Sequence, residues 1–164
     1  HSSHRRQRQM CIRDSSITDY GTNMIWFKDY TIEELKGFMT HENIVTALGL
    51  EFVEVTPDSL SFRLKVDSRS HQIHGILHGG ATCVLTESVG SFASLMVINP
   101  ETHYAVGSHI STNHLRPVKD GYVTAIAKPV HLGRTKHVWD IPVYNDDGKI
   151  IAKTELTCAV TPKP

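Results

Sequence analysis

Glu87 sits in a run of small residues, Gly79-Gly80-Ala81 through Gly90-Ser91, within a segment that reads as one long helix. That helix is expected from about Gly79 to Ile98, ended by Asn99-Pro100. Glu87 is its only ionisable carboxylate. At 100° per residue, Gly80, Cys83, Glu87, Ser91 and Ser94 gather on a flank about 80° wide. Small neighbours leave room for a ligand beside a carboxylate held on a rigid element. His78-Gly79-Gly80 opens the helix, where unpaired backbone N–H groups and the dipole favour developing negative charge. Ser91, one turn after Glu87, is close enough to orient a water molecule or the carboxylate. A carbonyl held at the Gly79 N–H would lie about two helical turns from Glu87. These parts suit acyl transfer, which polarises a carbonyl, attacks it and stabilises the oxyanion. A lone helical Glu is more commonly a solvated surface residue, so the pattern suggests this chemistry without specifying it.

The remaining reactive residue types point to less. His71, His74 and His78 have a spacing seen in metal sites, but no cysteine or carboxylate cluster accompanies them. No metal and no cofactor are expected. Cys11, Cys83 and Cys158 are too few and too scattered for a disulfide framework or a metal knuckle. Cys83, beside a carboxylate and with no base next to it, reads as small filler. Trp139 and Tyr144 read as sheet packing.

Of 164 residues, 40% are hydrophobic and 21% charged, which suits one domain with a buried core. Lys+Arg and Asp+Glu both number 17. Arg5, Arg6, Arg8 and Arg13 oppose only Asp14 at the start, so the body of the chain is net acidic. That balance argues against general phosphate-backbone binding, and no nucleic-acid partner is expected. No apolar run reads as a membrane span and no signal-peptide core follows the basic start. A cytoplasmic location away from any membrane is the expectation.

The elements that must position these residues follow from pattern and turn chemistry. Residues 1–16 lack apolar periodicity and read as a non-native or disordered leader. The domain is expected over residues 30–161. Thr31 and Glu34 form a capping-box pair before a short helix carrying Leu35, Phe38 and Met39. A second helical turn through Ile44, Val45 and Leu48 ends at Gly49. Leu60, Phe62, Leu64 and Val66 alternate with polar residues, so residues 50–66 read as a hairpin turned at Pro57-Asp58. Four more strands are expected at about 103–116, 121–132, 135–145 and 149–160, with Pro129 and Pro142 at bulges or edges. The long helix is expected to face the sheet with Ala81, Val84, Leu85, Ser88, Phe92, Leu95 and Met96. The sum is an α+β chain with an antiparallel sheet and one central helix.

At these residues the chain resembles the hotdog-fold acyl-CoA thioesterases, the group that includes 4-hydroxybenzoyl-CoA and 1,4-dihydroxy-2-naphthoyl-CoA hydrolases. The likeness runs in order through His71-Gln72, Gly75 to Ala81 (GILHGGA), Glu87-Ser88-Val89-Gly90-Ser91, Asn113 to Val118 (NHLRPV) and His131-Leu132-Gly133-Arg134. It covers about residues 41–160. The resemblance implies a curved antiparallel sheet wrapped around one long helix. It implies that Glu87 is the catalytic carboxylate, as nucleophile or general base, and that the Gly79 amide binds the thioester oxygen. By the same likeness Gln72 supports that carbonyl or the water, His78 assists near the sulfur, and Ser91 positions the water. Phe92 falls near the acyl pocket, and His114, Arg116, His131, Gly133 and Arg134 fall where the family holds CoA. Where close relatives commonly carry a second His, this chain has Leu115.

The expected activity is hydrolysis of an aryl or medium-chain acyl-CoA, with water as co-substrate. A non-catalytic acyl-CoA-binding module is the alternative. A single curved sheet with an open helix flank exposes too much apolar surface for a monomer. A homodimer, assembling further into a homotetramer as a dimer of dimers, is expected, with sites at subunit boundaries.

Overall fold

The alternations that mark strands in the sequence all become strands of one sheet. A computed structural model describes residues 23–164; the leader expected at 1–16 lies outside the described residues. Two short helices come first, α1 (Ile32–Gly37) and α2 (Ile44–Ala47). The hairpin β1 (Glu51–Val55) and β2 (Leu60–Lys65) precedes the long helix α3 (Gly79–Val97). Strands β3 (His103–His114), β4 (Tyr122–Leu132), β5 (Lys136–Asn145) and β6 (Ile150–Pro162) complete the chain. The six strands run in the order β1-β2-β4-β5-β6-β3, each pair antiparallel. This is the hotdog arrangement, with α3 packed across the sheet.

Local chemistry explains the element ends. Thr31 Oγ1 accepts from the Glu34 N–H at 3.2 Å while the Glu34 carboxylate accepts from the Thr31 N–H at 2.9 Å, closing the capping box. Gly49 takes φ +70° just after α2, the left-handed stop that glycine adopts without a Cβ penalty. Pro129 falls at a register shift between β4 and β5, as a residue without an N–H requires. Pro142, expected at a bulge or an edge, instead lies on an interior strand, with the β4–β5 register unchanged from Ala125↔Val143 to Lys128↔Asp140 on either side of it. The nearest irregularity is against β6, between Val143 and Tyr144.

The helix meets the sheet on a different face from the one expected. Its buried residues are Ala81, Thr82, Leu85, Thr86, Val89, Gly90, Ala93, Ser94 and Met96. Their centre is rotated by about 100° from the expected stripe. Val84, Ser88, Phe92 and Leu95, assigned to the sheet by apolar periodicity, are only half-buried. The reason is close approach: a Cβ on Gly90 would collide with the Leu156 side chain and reach Ile141 Cδ1 at 2.9 Å. Small and hydroxyl residues fit this contact, and their hydroxyls are bonded. Thr154 Oγ1 donates to Thr86 Oγ1 at 3.1 Å.

The domain also starts earlier than residue 30. Trp26 is buried in the core and stacks on Trp139 with ring centroids 6.4 Å apart. The Phe27 N–H donates to the Met96 carbonyl at 2.8 Å, using a carbonyl left free at the end of α3. Among the described residues the same helix is long and apolar enough to span a membrane by length and composition alone, and half of it is buried within this chain as a core helix.

Candidate active site

Three groups of expected site residues separate in the fold. The first surrounds the start of α3. His78 is the N-cap, and its Nδ1 accepts from the Gly80 N–H at 2.7 Å. With Nδ1 so occupied, a neutral His78 carries its proton on Nε2. The Gly79 N–H belongs to the first turn and has no intrahelical carbonyl to meet. His114, the last residue of β3, lies over Gly79: a Cβ there would come within 2.9 Å of His114 Nε2. Gln72 belongs to the tight loop before the helix, where its N–H donates to the Ile76 carbonyl at 2.8 Å and its side-chain oxygen accepts from the His74 N–H. Exposed Arg116 follows β3 at this same end.

The second group lies mid-helix. Glu87 is exposed and its side chain lies along Gly107 of β3. Ser91, half-buried one turn on, faces Cys158 of β6. Burial and then the Glu87 charge push the Cys158 thiol up, against hydrogen bonds from the Ser94 and Ser91 hydroxyls. Cys158 is thus an inert thiol packed under the carboxylate.

The third group is at the opposite end of the sheet. His131, near the end of β4, and Gly133 and Arg134, in the β4–β5 turn, lie beside the end of β6, where the Val160 N–H donates to the Thr135 carbonyl at 2.9 Å. The His131 ring folds over Gly133. Since β6 is antiparallel to β3, this turn is next to the start of β3, whereas Arg116 follows its end. Arg116 and Arg134 therefore cannot share one rim within a chain. Neither guanidinium has an ion-pair partner among the described residues.

Phe92 faces both core and cavity. It packs edge-on against Phe52 at 5.1 Å and Phe38 at 6.0 Å. It also lines a cavity of about 310 Å³ with Tyr30, Phe38, Leu95, Met96 and Tyr104. Of the three histidines with metal-like spacing, His71 Nε2 pairs with the Lys119 carbonyl at 2.8 Å and His78 caps the helix. Among the described residues no group of three or more His, Cys, Asp or Glu side chains is placed to hold an ion.

Two residues near the site escape sequence reading. Gly107 is visible only as an isolated glycine inside a strand pattern, a sign of a bulge or a close approach. Cys158 gives no signal, because its place under Glu87 depends on β6 crossing beneath the helix.

One long helix packed on a six-stranded antiparallel sheet defines the hotdog class of fold, and the chain belongs to the thioesterase superfamily, which it matches over residues 74–152. It is 38% identical over 137 residues to the 1,4-dihydroxy-2-naphthoyl-CoA hydrolase of Escherichia coli, covering 84% of this chain and 99% of that one. It is 36% identical over 137 residues to the proofreading thioesterase EntH of Cronobacter turicensis, covering 84% and 98%. A crystal structure of a mutant of thioesterase PA1618 from Pseudomonas aeruginosa superposes with TM-score 0.82 at 42% identity, covering 85% of this chain and 99% of that chain.

Proposed function

We propose that this chain hydrolyses an acyl-CoA thioester to the free acid and CoA, at a site assembled from two copies of itself. The observation that carries this reading is a distance. Gly79 and Glu87 are eight residues apart on one helix, so about 12 Å of axis separates the amide from the carboxylate's turn. One carbonyl cannot be held by that amide and attacked from that carboxylate in the same chain, because reacting atoms must come within about 3–3.5 Å.

A second copy supplies the missing half. β3 is an edge strand, twelve residues long, with Tyr104 and Val106 exposed at 50% and 56%. An open edge of this length is a template for pairing with another strand. Antiparallel pairing of two β3 strands brings the Gly79 end of one copy towards the mid-helix carboxylate of the other. It also sets the Arg116 end of one copy beside the Arg134 end of its neighbour, offering two unpaired guanidinium groups to the phosphates of CoA.

In this site Glu87 acts as nucleophile on the thioester carbon or as general base on a water. Either way the carbonyl oxygen gains negative charge, and a helix-N-terminal N–H stabilises it without reorganisation. Collapse of the adduct breaks the C–S bond. As general base, Glu87 passes the proton taken from water to the departing CoA thiolate, and the free acid remains. As nucleophile, it is left as a mixed anhydride that a water hydrolyses to free acid and carboxylate, with that water's proton going to the thiolate. Ser91 orients water beside Glu87, Gln72 and His78 line the carbonyl and sulfur side, and Phe92 walls an aryl or medium-chain acyl group. The test is thiol release from a panel of acyl-CoA esters by the wild type and Glu87→Gln. The expected outcome is turnover by the wild type and a loss of about 10²-fold or more in kcat for the variant. Ester binding without turnover by the wild type would make this a binding module instead.

A further inference from the structure

We infer that Gly107 is a positioning residue for Glu87, and that the absence of a side chain there aims the carboxylate; the inference rests on the catalytic reading of Glu87. A Cβ built on Gly107 would overlap Glu87 Oε1 and approach Cδ at 3.2 Å and Cγ at 3.4 Å. Three successive heavy-atom positions of Glu87 therefore run along the strand at this one residue. The carboxylate accepts no hydrogen bond and meets no cation among the described residues. Its orientation depends on shape, and the shape is the notch at Gly107.

The backbone does not ask for glycine here. The glycines with positive φ are Gly49, Gly75, Gly121 and Gly148, so an L-residue at 107 takes the existing conformation without strain. Gly107 pairs with Cys158 across β6, and the register slips between Gly107 and His109, a bulge that sets this stretch of β3 against the helix. What a methyl group would displace is the far end of a flexible, exposed side chain and not the main chain. Gly107→Ala is thus expected to leave the fold alone and turn the carboxylate aside.

The experiment compares wild type, Gly107→Ala, Glu87→Asp, the double variant and Glu87→Gln in thioester hydrolysis, with melting temperature and assembled mass measured for each. Gly107→Ala is expected to keep its melting temperature and mass, lower kcat on the order of 10- to 100-fold, and leave KM within about threefold, the pattern of a misplaced reacting group. Glu87→Asp shortens the side chain by one methylene and relieves the overlap. The double variant is therefore expected to turn over faster than the product of the two single losses predicts. Wild-type kcat in Gly107→Ala, with Glu87→Gln inactive, would overturn the inference and leave the role of Glu87 standing. Strictly multiplicative losses, or loss of mass or melting temperature in Gly107→Ala, would also overturn it, because the notch would then serve the fold. An active Glu87→Gln would instead remove the catalytic reading and this inference with it.

Discussion

Ser94 and Trp139 share a hydrogen bond at 2.7 Å, the indole N–H donating to a hydroxyl on the buried face of α3. The same hydroxyl pairs with His137 Nδ1 at 2.9 Å. One serine thus ties the central helix to two side chains of β5, beneath the Trp26–Trp139 stack.

Ser94→Ala leaves the indole N–H and the imidazole nitrogen buried without this partner. The expected cost is about 1–3 kcal/mol for the stranded polar groups. Chemical denaturation should show a lower midpoint with an unchanged slope, and kcat should hold at temperatures where the variant is folded. An unchanged midpoint would mean that another donor or water replaces the hydroxyl.

His137 makes stability depend on pH. Burial, with a smaller contribution from the nearby His131 charge, pushes its pKa from 6.5 down to about 4. The folded protein therefore holds His137 neutral while the unfolded chain protonates it below about pH 6.5. Between those limits the unfolded state binds more protons, so stability falls as pH drops and levels off below about 4. The difference amounts to roughly 3 kcal/mol. Melting temperatures measured from pH 7.5 to 4 should decline across this window, and His137→Gln should flatten much of the decline. A variant that tracks the wild type throughout would assign the acid sensitivity to other groups.

Arg116 and Arg134 are expected to bind the phosphates of CoA, a contact equal in ground and transition states. Arg116→Ala and Arg134→Ala should each raise KM for acyl-CoA about tenfold with little change in kcat. The effect should vanish for a pantetheine thioester lacking the nucleotide and shrink as salt rises. Equal KM values for wild type and both variants on full acyl-CoA would place the nucleotide elsewhere.

Much of this architecture is legible in the sequence because its signals are local. Thr31 with Glu34, Gly49, Asn99-Pro100 and the alternation from Leu60 to Val66 act within a few residues of themselves, and each appears where expected. The face of α3 was not legible. Periodicity favours large apolar residues as the buried side, but Gly90 against Leu156 and Ile141 allows a contact so close that threonine and serine make it. Trp26 lay beyond reading because its partner Trp139 is over a hundred residues away. The candidate site was legible as a set of residue types and a family likeness. Its division was not, since Arg116 and Arg134, both expected to hold CoA, stand at opposite ends of β3.

The two-copy site can be tested by mixing two inactive proteins. Glu87→Gln lacks the carboxylate. Gly79→Pro lacks the amide, at a first helical position that tolerates proline and after a His78 already extended at φ −70° and ψ 130°; its ring also displaces the neighbouring His114 side chain, which belongs to the same end of the same copy. A mixed dimer holds one site with both wild-type groups if amide and carboxylate come from different copies. After subunit exchange, an equimolar mixture is predicted to recover about one quarter of wild-type kcat, since half the dimers are mixed and half their sites intact. A mixture as inactive as its components, with exchange verified by mass, would contradict the shared site.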